Sequence, residues 1–188
     1  AALLQRAVVY FGSLIANYSG SEGAMGIFHL LLVLSTLSCT LVTGFVLTFS
    51  IVVMPGFSKL NDRDFIRSFQ VTDGVIQRRQ PIFLFVWLSS FLSVFSLMLW
   101  ALTNNEFAEV WLVLVSGALY LLGVQGLTVT VHLPLNRRMQ KLNVIELDPQ
   151  TLHTERVYFE ARWNFYNNVR TLLAFLSSIT LLGVTALH

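Results

Sequence analysis

Four stretches of the chain contain no Asp, Glu, Lys or Arg: Gly23 to Ser58, Gln80 to Asn105, Val110 to Asn136 and Thr171 to His188. Within each, apolar residues run continuously instead of keeping to one stripe, the pattern of a helix with lipid or other helices on every side. A spanning helix needs about 20 apolar residues. The spacing therefore predicts transmembrane helices near 27–53, 81–102, 110–133 and 167–187. The first is long enough to tilt or project, and Pro55 is expected to stop it just beyond Met54.

Between the gaps the pattern changes. Residues 1–18 place Leu3, Leu4, Ala7, Val8, Phe11, Leu14, Ile15 and Tyr18 at helical spacing, with Gln5, Arg6, Ser13 and Asn17 on another face. This predicts a helix lying in the membrane interface or docking on another subunit, broken from the first span by Ser19-Gly20-Ser21-Glu22-Gly23. Asn61-Asp62-Arg63-Asp64 can cap a second amphipathic helix over 62–79, and Asp148-Pro149 marks a turn within a polar loop at 136–157. The chain therefore divides into an amphipathic N-terminal segment, 1–20, and a single domain, 21–188. The expected fold is all-α: an integral membrane four-helix bundle with an N-terminal interfacial helix and a surface helix between spans one and two.

Charge sets the orientation. Charged residues make up only 12% of the chain, against roughly a quarter in a soluble domain, so lipid is the expected solvent. All the Lys and Arg except Arg6 fall in two groups, one after the first span (Lys59 to Arg79) and one between the third span and the start of the fourth (Arg137 to Arg170). Basic loops stay on the cytoplasmic side, so both termini are expected on the opposite side of a cell or organelle membrane. The net charge of +2 follows from that topology and gives no reason to expect nucleic acid. The single cysteine, Cys39, lies inside the first span and reads as a small apolar side chain. The hydroxyl stripe Thr36, Thr40, Thr43 and Ser50 reads as helix packing, with Gly44 allowing close approach.

Several polar residues sit where lipid makes them costly. Gln125, Thr128, His132 and Asn136 share one helical face, as do Glu160, Trp163, Asn167 and Arg170. Both faces lie at the basic end of the bundle, beside a loop helix carrying Gln70, Asp73 and Gln77. Such groups must find one another, water or a ligand. In the functional reading His132 accepts a proton and Arg170 holds an anion or phenolate, while Gln70, Asp73, Gln125, Asn136, Trp163 and Asn167 bind substrate. In the structural reading the same groups cap helix ends and bond across helices. His29 lies near the opposite surface from His132, and HxxxH, ExxH and CxxC spacings are absent from the sequence, so no metal site is expected.

Three stretches in order resemble the anthrone oxygenase-like family of small four-helix membrane proteins. The first is Val53-Met54-Pro55-Gly56-Phe57 followed by Phe65-Ile66-Arg67-Ser68-Phe69-Gln70. The second is His132-Leu133-Pro134-Leu135-Asn136, and the third is Trp163-Asn164-Phe165-Tyr166-Asn167-Asn168-Val169-Arg170-Thr171. The resemblance covers roughly 27–187, and Asp73 stands where the family pattern has Asn. It implies oxygenation of a polycyclic phenolic anthrone to the quinone with dioxygen and no tightly bound cofactor. Two functions are then expected to compete, with the first as the leading expectation and the second as the alternative. One is an accessory or structural subunit, held to other membrane subunits or to copies of itself. The other is an enzyme, which requires a polar cavity bounded by His132, Asn136, Trp163, Asn167 and Arg170; a subunit requires those groups mutually satisfied and the cavity closed.

Overall fold

The computed structural model describes residues 21–103 and 110–187, with side chains from residue 26 onward. The expected N-terminal amphipathic helix and most of the short connection between spans two and three lie outside the described residues. Span I comprises α1 (Ser21–Thr48), a π-helical stretch π1 (Phe49–Val53) and α2 (Met54–Phe57). The surface helix α3 (Asp62–Gln77) follows, and then span II, the single helix α4 (Pro81–Thr103). Span III is α5 (Val110–Ala118), π2 (Leu119–Gln125), π3 (Thr128–His132) and α6 (Leu133–Gln140), and span IV is α7 (Pro149–Leu187). Four helices are long and apolar enough to cross a membrane, no strand occurs among the described residues, and the chain is an all-α integral membrane bundle.

Span I packs on spans II and IV, and span III on the same two, closing a four-membered ring. Hydroxyl groups join every seam. Thr36 with Thr185, Thr43 with Ser178, and Ser50 with Thr171 form an antiparallel ladder between spans I and IV, seven residues apart on each helix. Ser38 meets Ser93, the Tyr120 hydroxyl donates to Ser90, and Ser116 meets Ser177. With no water to compete, such bonds hold spanning helices together at about 0.6 kcal/mol each on average. The close approaches are at Gly117, where a Cβ would collide with Met98, and at Gly123, where it would lie 2.6 Å from Leu173 Cδ1. Gly44 faces open space instead. Large apolar side chains such as Ile51, Phe85, Leu122 and Leu172 point outward, into the lipid.

The core has two storeys. Phe28, Val42, Leu97, Tyr120 and Leu181 belong to the one within the ring; Phe49, Phe65, Phe69, Met139, Phe159 and Trp163 form the other at the basic end. α7 joins them. Its 39 residues extend about 58 Å, nearly twice the ~30 Å hydrocarbon thickness, so it begins 18 residues before the expected span and shortens the polar loop to 141–148. Asp148 caps it, accepting from the Thr151 amide and hydroxyl, which holds its carboxyl below the ordinary value. α3 is capped as expected, with Asn61 accepting from the Asp64 amide, and its face carrying Phe65, Ile66 and Phe69 buries against α6 and α7. Arg156 of α7 fixes the preceding turn by donating to Ser58 O and Leu60 O and pairing with Asp62 at 3.0 Å.

Candidate functional site

Two prolines shape the basic end of the bundle. A proline inside a helix lacks its N–H and crowds the carbonyl four residues back. In both affected spans a π-helical stretch ends two residues before the proline: π1 before Pro55 and π3 before Pro134. The wider turn accommodates the ring, so span I continues through Pro55 to Phe57 instead of stopping. In span III the π turn also resets the side-chain phase. It leaves Thr128, His132 and Asn136 on one side and swings Gln125 roughly a quarter turn from His132 relative to an α-helix. Gln125 accordingly lies outside the site, donating to the Tyr120 hydroxyl at 3.4 Å.

The face so produced borders a cavity of about 340 Å³ between spans II and III, closed by α3 and by span IV. Its walls are aromatic: Phe49, Phe69, Phe83, Trp87 and Trp163. Trp163 is at their centre, its ring 5.6 Å from Phe49, 6.0 Å from Phe69 and 5.1 Å edge-on from His132. The polar lining is Asp73, Gln77, Arg79, Thr128, His132, Asn136 and Arg170. Of the residues expected to act, His132, Arg170, Asp73, Asn136 and Trp163 thus come to one cavity. Gln70 does not line it and instead latches α3 to the end of span III, donating to Met139 O and Leu142 O at 2.9 Å. Asn167 lies behind Arg170.

Two hydrogen-bonded groups face the cavity. In one, the buried carboxylate of Asp73 (3% exposed) accepts from Asn136 Nδ2 at 2.7 Å, Gln140 Nε2 at 2.8 Å and Gln77 Nε2 at 3.3 Å. Trp163 Nε1 donates to Asn136 Oδ1 at 3.0 Å, extending the chain to span IV. In the other, Asn167 Oδ1 accepts from Arg170 Nε and Nη2 while its amide donates to Val46 O and Ser50 Oγ. Arg170 Nη1 donates to Thr128 Oγ1 at 3.1 Å, and the guanidinium carbon lies 5.8 Å from the Trp163 ring centroid.

These bonds fix the guanidinium in place but do not neutralise it. Arg170 is only 5% exposed, and among the described residues no carboxylate lies within 4.0 Å of it. Three of its five N–H groups have partners. His132 is buried, and neither ring nitrogen has a hydrogen-bond partner among the described residues. The site thus offers a free ring nitrogen and a fixed, unneutralised cation beside stacked aromatic surface. A ligand with a flat apolar body and an acidic oxygen matches it. Among the described residues no cluster of His, Cys, Asp or Glu is arranged to hold a metal ion. Apart from Trp163, the aromatic walls were not read from the sequence, because Phe and Trp on lipid-facing and cavity-facing positions have the same hydropathy.

Fold and cavity together define a four-span membrane bundle with an aromatic-walled cavity at its basic end. The chain belongs to the anthrone oxygenase family, whose model matches residues 75–180, just over half of its length. The match takes in the His132–Asn136 and Trp163–Thr171 motifs; the Pro55 motif and most of α3 precede it. No curated protein and no solved structure matches the chain.

Proposed function

We propose that this chain is a membrane-embedded oxygenase that oxidises a planar polycyclic phenol of the anthrone class with dioxygen, without a tightly bound cofactor. The observation that carries this reading is Arg170: a buried guanidinium with no carboxylate partner among the described residues, fixed by Asn167 and Thr128 against an aromatic cavity. A buried charge without an opposite partner is costly, and an anionic substrate oxygen supplies one. The ~340 Å³ cavity is within the ~300–1,000 Å³ of small-molecule sites.

In this mechanism the substrate stacks against Trp163 with its carbonyl oxygen toward Arg170. His132 removes a proton from the ring methylene opposite that carbonyl. The electron pair delocalises onto the oxygen, and the developing oxyanion is held by the guanidinium. Dioxygen accepts electrons from this anion and bonds to the former methylene carbon. The resulting peroxide anion takes back the proton from His132, and the hydroperoxide then loses its C–H proton and hydroxide as water, leaving the second quinone carbonyl. One anthrone and one dioxygen give one quinone and one water. The basic end, with the cavity, faces the cytoplasm-like side.

The test is turnover of 1,8-dihydroxyanthrone by the protein in lipid nanodiscs, followed by quinone absorbance and oxygen uptake. Equal rates of the two are expected. Arg170→Gln is expected to lower kcat/KM at least a hundredfold, the size of loss seen when an oxyanion donor is removed, and His132→Gln tenfold or more. Rates equal to protein-free nanodiscs would sink the reading. The accessory-subunit reading draws on a different observation, that Asp73, Asn136, Gln140 and Trp163 satisfy one another. Native mass determination after gentle detergent extraction separates the two: co-purifying unlike subunits favour the accessory role.

A further inference from the structure

We infer that the cavity is loaded sideways from the bilayer, through a portal between spans II and III, and that its ligand is therefore a membrane-partitioned amphiphile and not a water-borne metabolite. The substrate named in the test below rests on the oxygenase reading; the route itself does not.

Spans II and III pack together along α5 and π2, whereas the cavity opens between the start of span II and the segment π3 to α6. The residues lining it at that flank are not all on inward faces. Thr128, His132 and Asn136 point in, but the lining also includes Val129 and Leu133, one position further round the helix. Val129 is 61% exposed and continues the outward face of Leu122. On span II, Leu84 lines the cavity next to Phe85 and Leu88, which face lipid. The cavity thus reaches the lipid-facing surface between Leu84 and Val129.

The chemistry is graded along that path. The mouth is aliphatic, the walls are aromatic, and Asp73 and Arg170 lie at the far side on α3 and span IV. Such a sequence admits an apolar ring system edge-first and meets its acidic oxygen last. Arg79, at the end of α3, also lines the cavity and has a left-handed backbone, φ 60°. That conformation is uncommon for a residue other than glycine. Dioxygen, apolar itself, dissolves better in hydrocarbon than in water and can use the same entrance.

Two measurements test the route. A nitroxide is attached at Val129→Cys, in a Cys39→Ala background and in nanodiscs. It is expected to collide more often with dissolved dioxygen than with a membrane-impermeant nickel chelate, whereas one at Glu146→Cys in the 141–148 loop shows the reverse. Preferential collision with the chelate at position 129 would overturn the inference. In the second, Val129→Trp narrows the mouth without touching the polar groups. With 1,8-dihydroxyanthrone supplied in the bilayer, KM is expected to rise at least tenfold and kcat to stay within twofold. An unchanged KM would also overturn it. If the nitroxide reports lipid but the unmutated protein oxidises no anthrone, the oxygenase reading fails while the route stands.

Discussion

Asp73 shows how a single polar residue acquires meaning only in three dimensions. In the sequence, the resemblance leads to the expectation of an Asn there. In the fold it receives N–H groups from three carboxamides, those of Asn136, Gln140 and Gln77, a set a carboxylate can accept in full and an Asn cannot. Asp73→Asn would turn an NH2 toward one of these donors. Leaving a buried polar group unsatisfied costs about 1–3 kcal/mol, so a destabilisation of that size is expected in thermal unfolding in detergent. Asn136 and Trp163 should lose order with it. At this scale the sequence disclosed which polar residues share a face but not their partners. Gln70, Asn167 and Arg170 all looked alike as buried polar groups. Gln70 latches a loop, Asn167 orients a neighbour, and only Arg170 keeps N–H groups without a partner.

The elements explain why a helical reading at a uniform period misplaces some of these groups. Helical wheels assume 3.6 residues per turn, and span III departs from that twice, in π2 and π3. Gln125 therefore leaves the face on which its spacing put it. The two prolines were visible in the sequence, yet a proline in a spanning helix signals a stop as readily as a π turn. Likewise the charges over 149–166 concealed the first half of α7, which is helical because it packs against α3 and α6 outside the hydrocarbon layer. If Pro134 imposes the π turn, Pro134→Ala should let span III relax to a regular α-helix. Thermal stability is then expected to hold or rise, as for other substitutions that relieve a strained functional site. kcat/KM for the anthrone is expected to fall at least tenfold, because His132 rotates relative to Arg170. A variant with lowered stability and unchanged activity would show that the π turn is set by packing and not by the proline.

At the scale of the whole molecule, the features most legible in the sequence were those fixed by the solvent. Uncharged runs gave the four spans because hydrocarbon penalises every unpaired charge. The clustering of Lys and Arg corresponds to one end of the structure, where α3, the 141–148 loop and the start of α7 form the second storey around Arg156, Asp62 and Glu160. The depth of the cavity was not legible, since it depends on where two helices diverge and on which aromatic faces turn inward. Orientation in the membrane connects the storey to function: basic loops are retained on the cytoplasmic side, so the site should open near that surface. A thiol introduced at Glu146→Cys, in the Cys39→Ala background, is expected to resist a membrane-impermeant maleimide in intact cells if the chain sits in the plasma membrane, and to react fully after permeabilisation. For an organelle membrane the corresponding result is reaction from the cytosolic face of sealed vesicles. In either case a thiol at the C-terminal His188 should give the opposite pattern, because four crossings return the chain to the side from which it entered. Reaction of both positions from one side would require an even number of crossings between them, and span IV would then not cross. It would remove the basis for placing the cavity at the cytoplasmic surface.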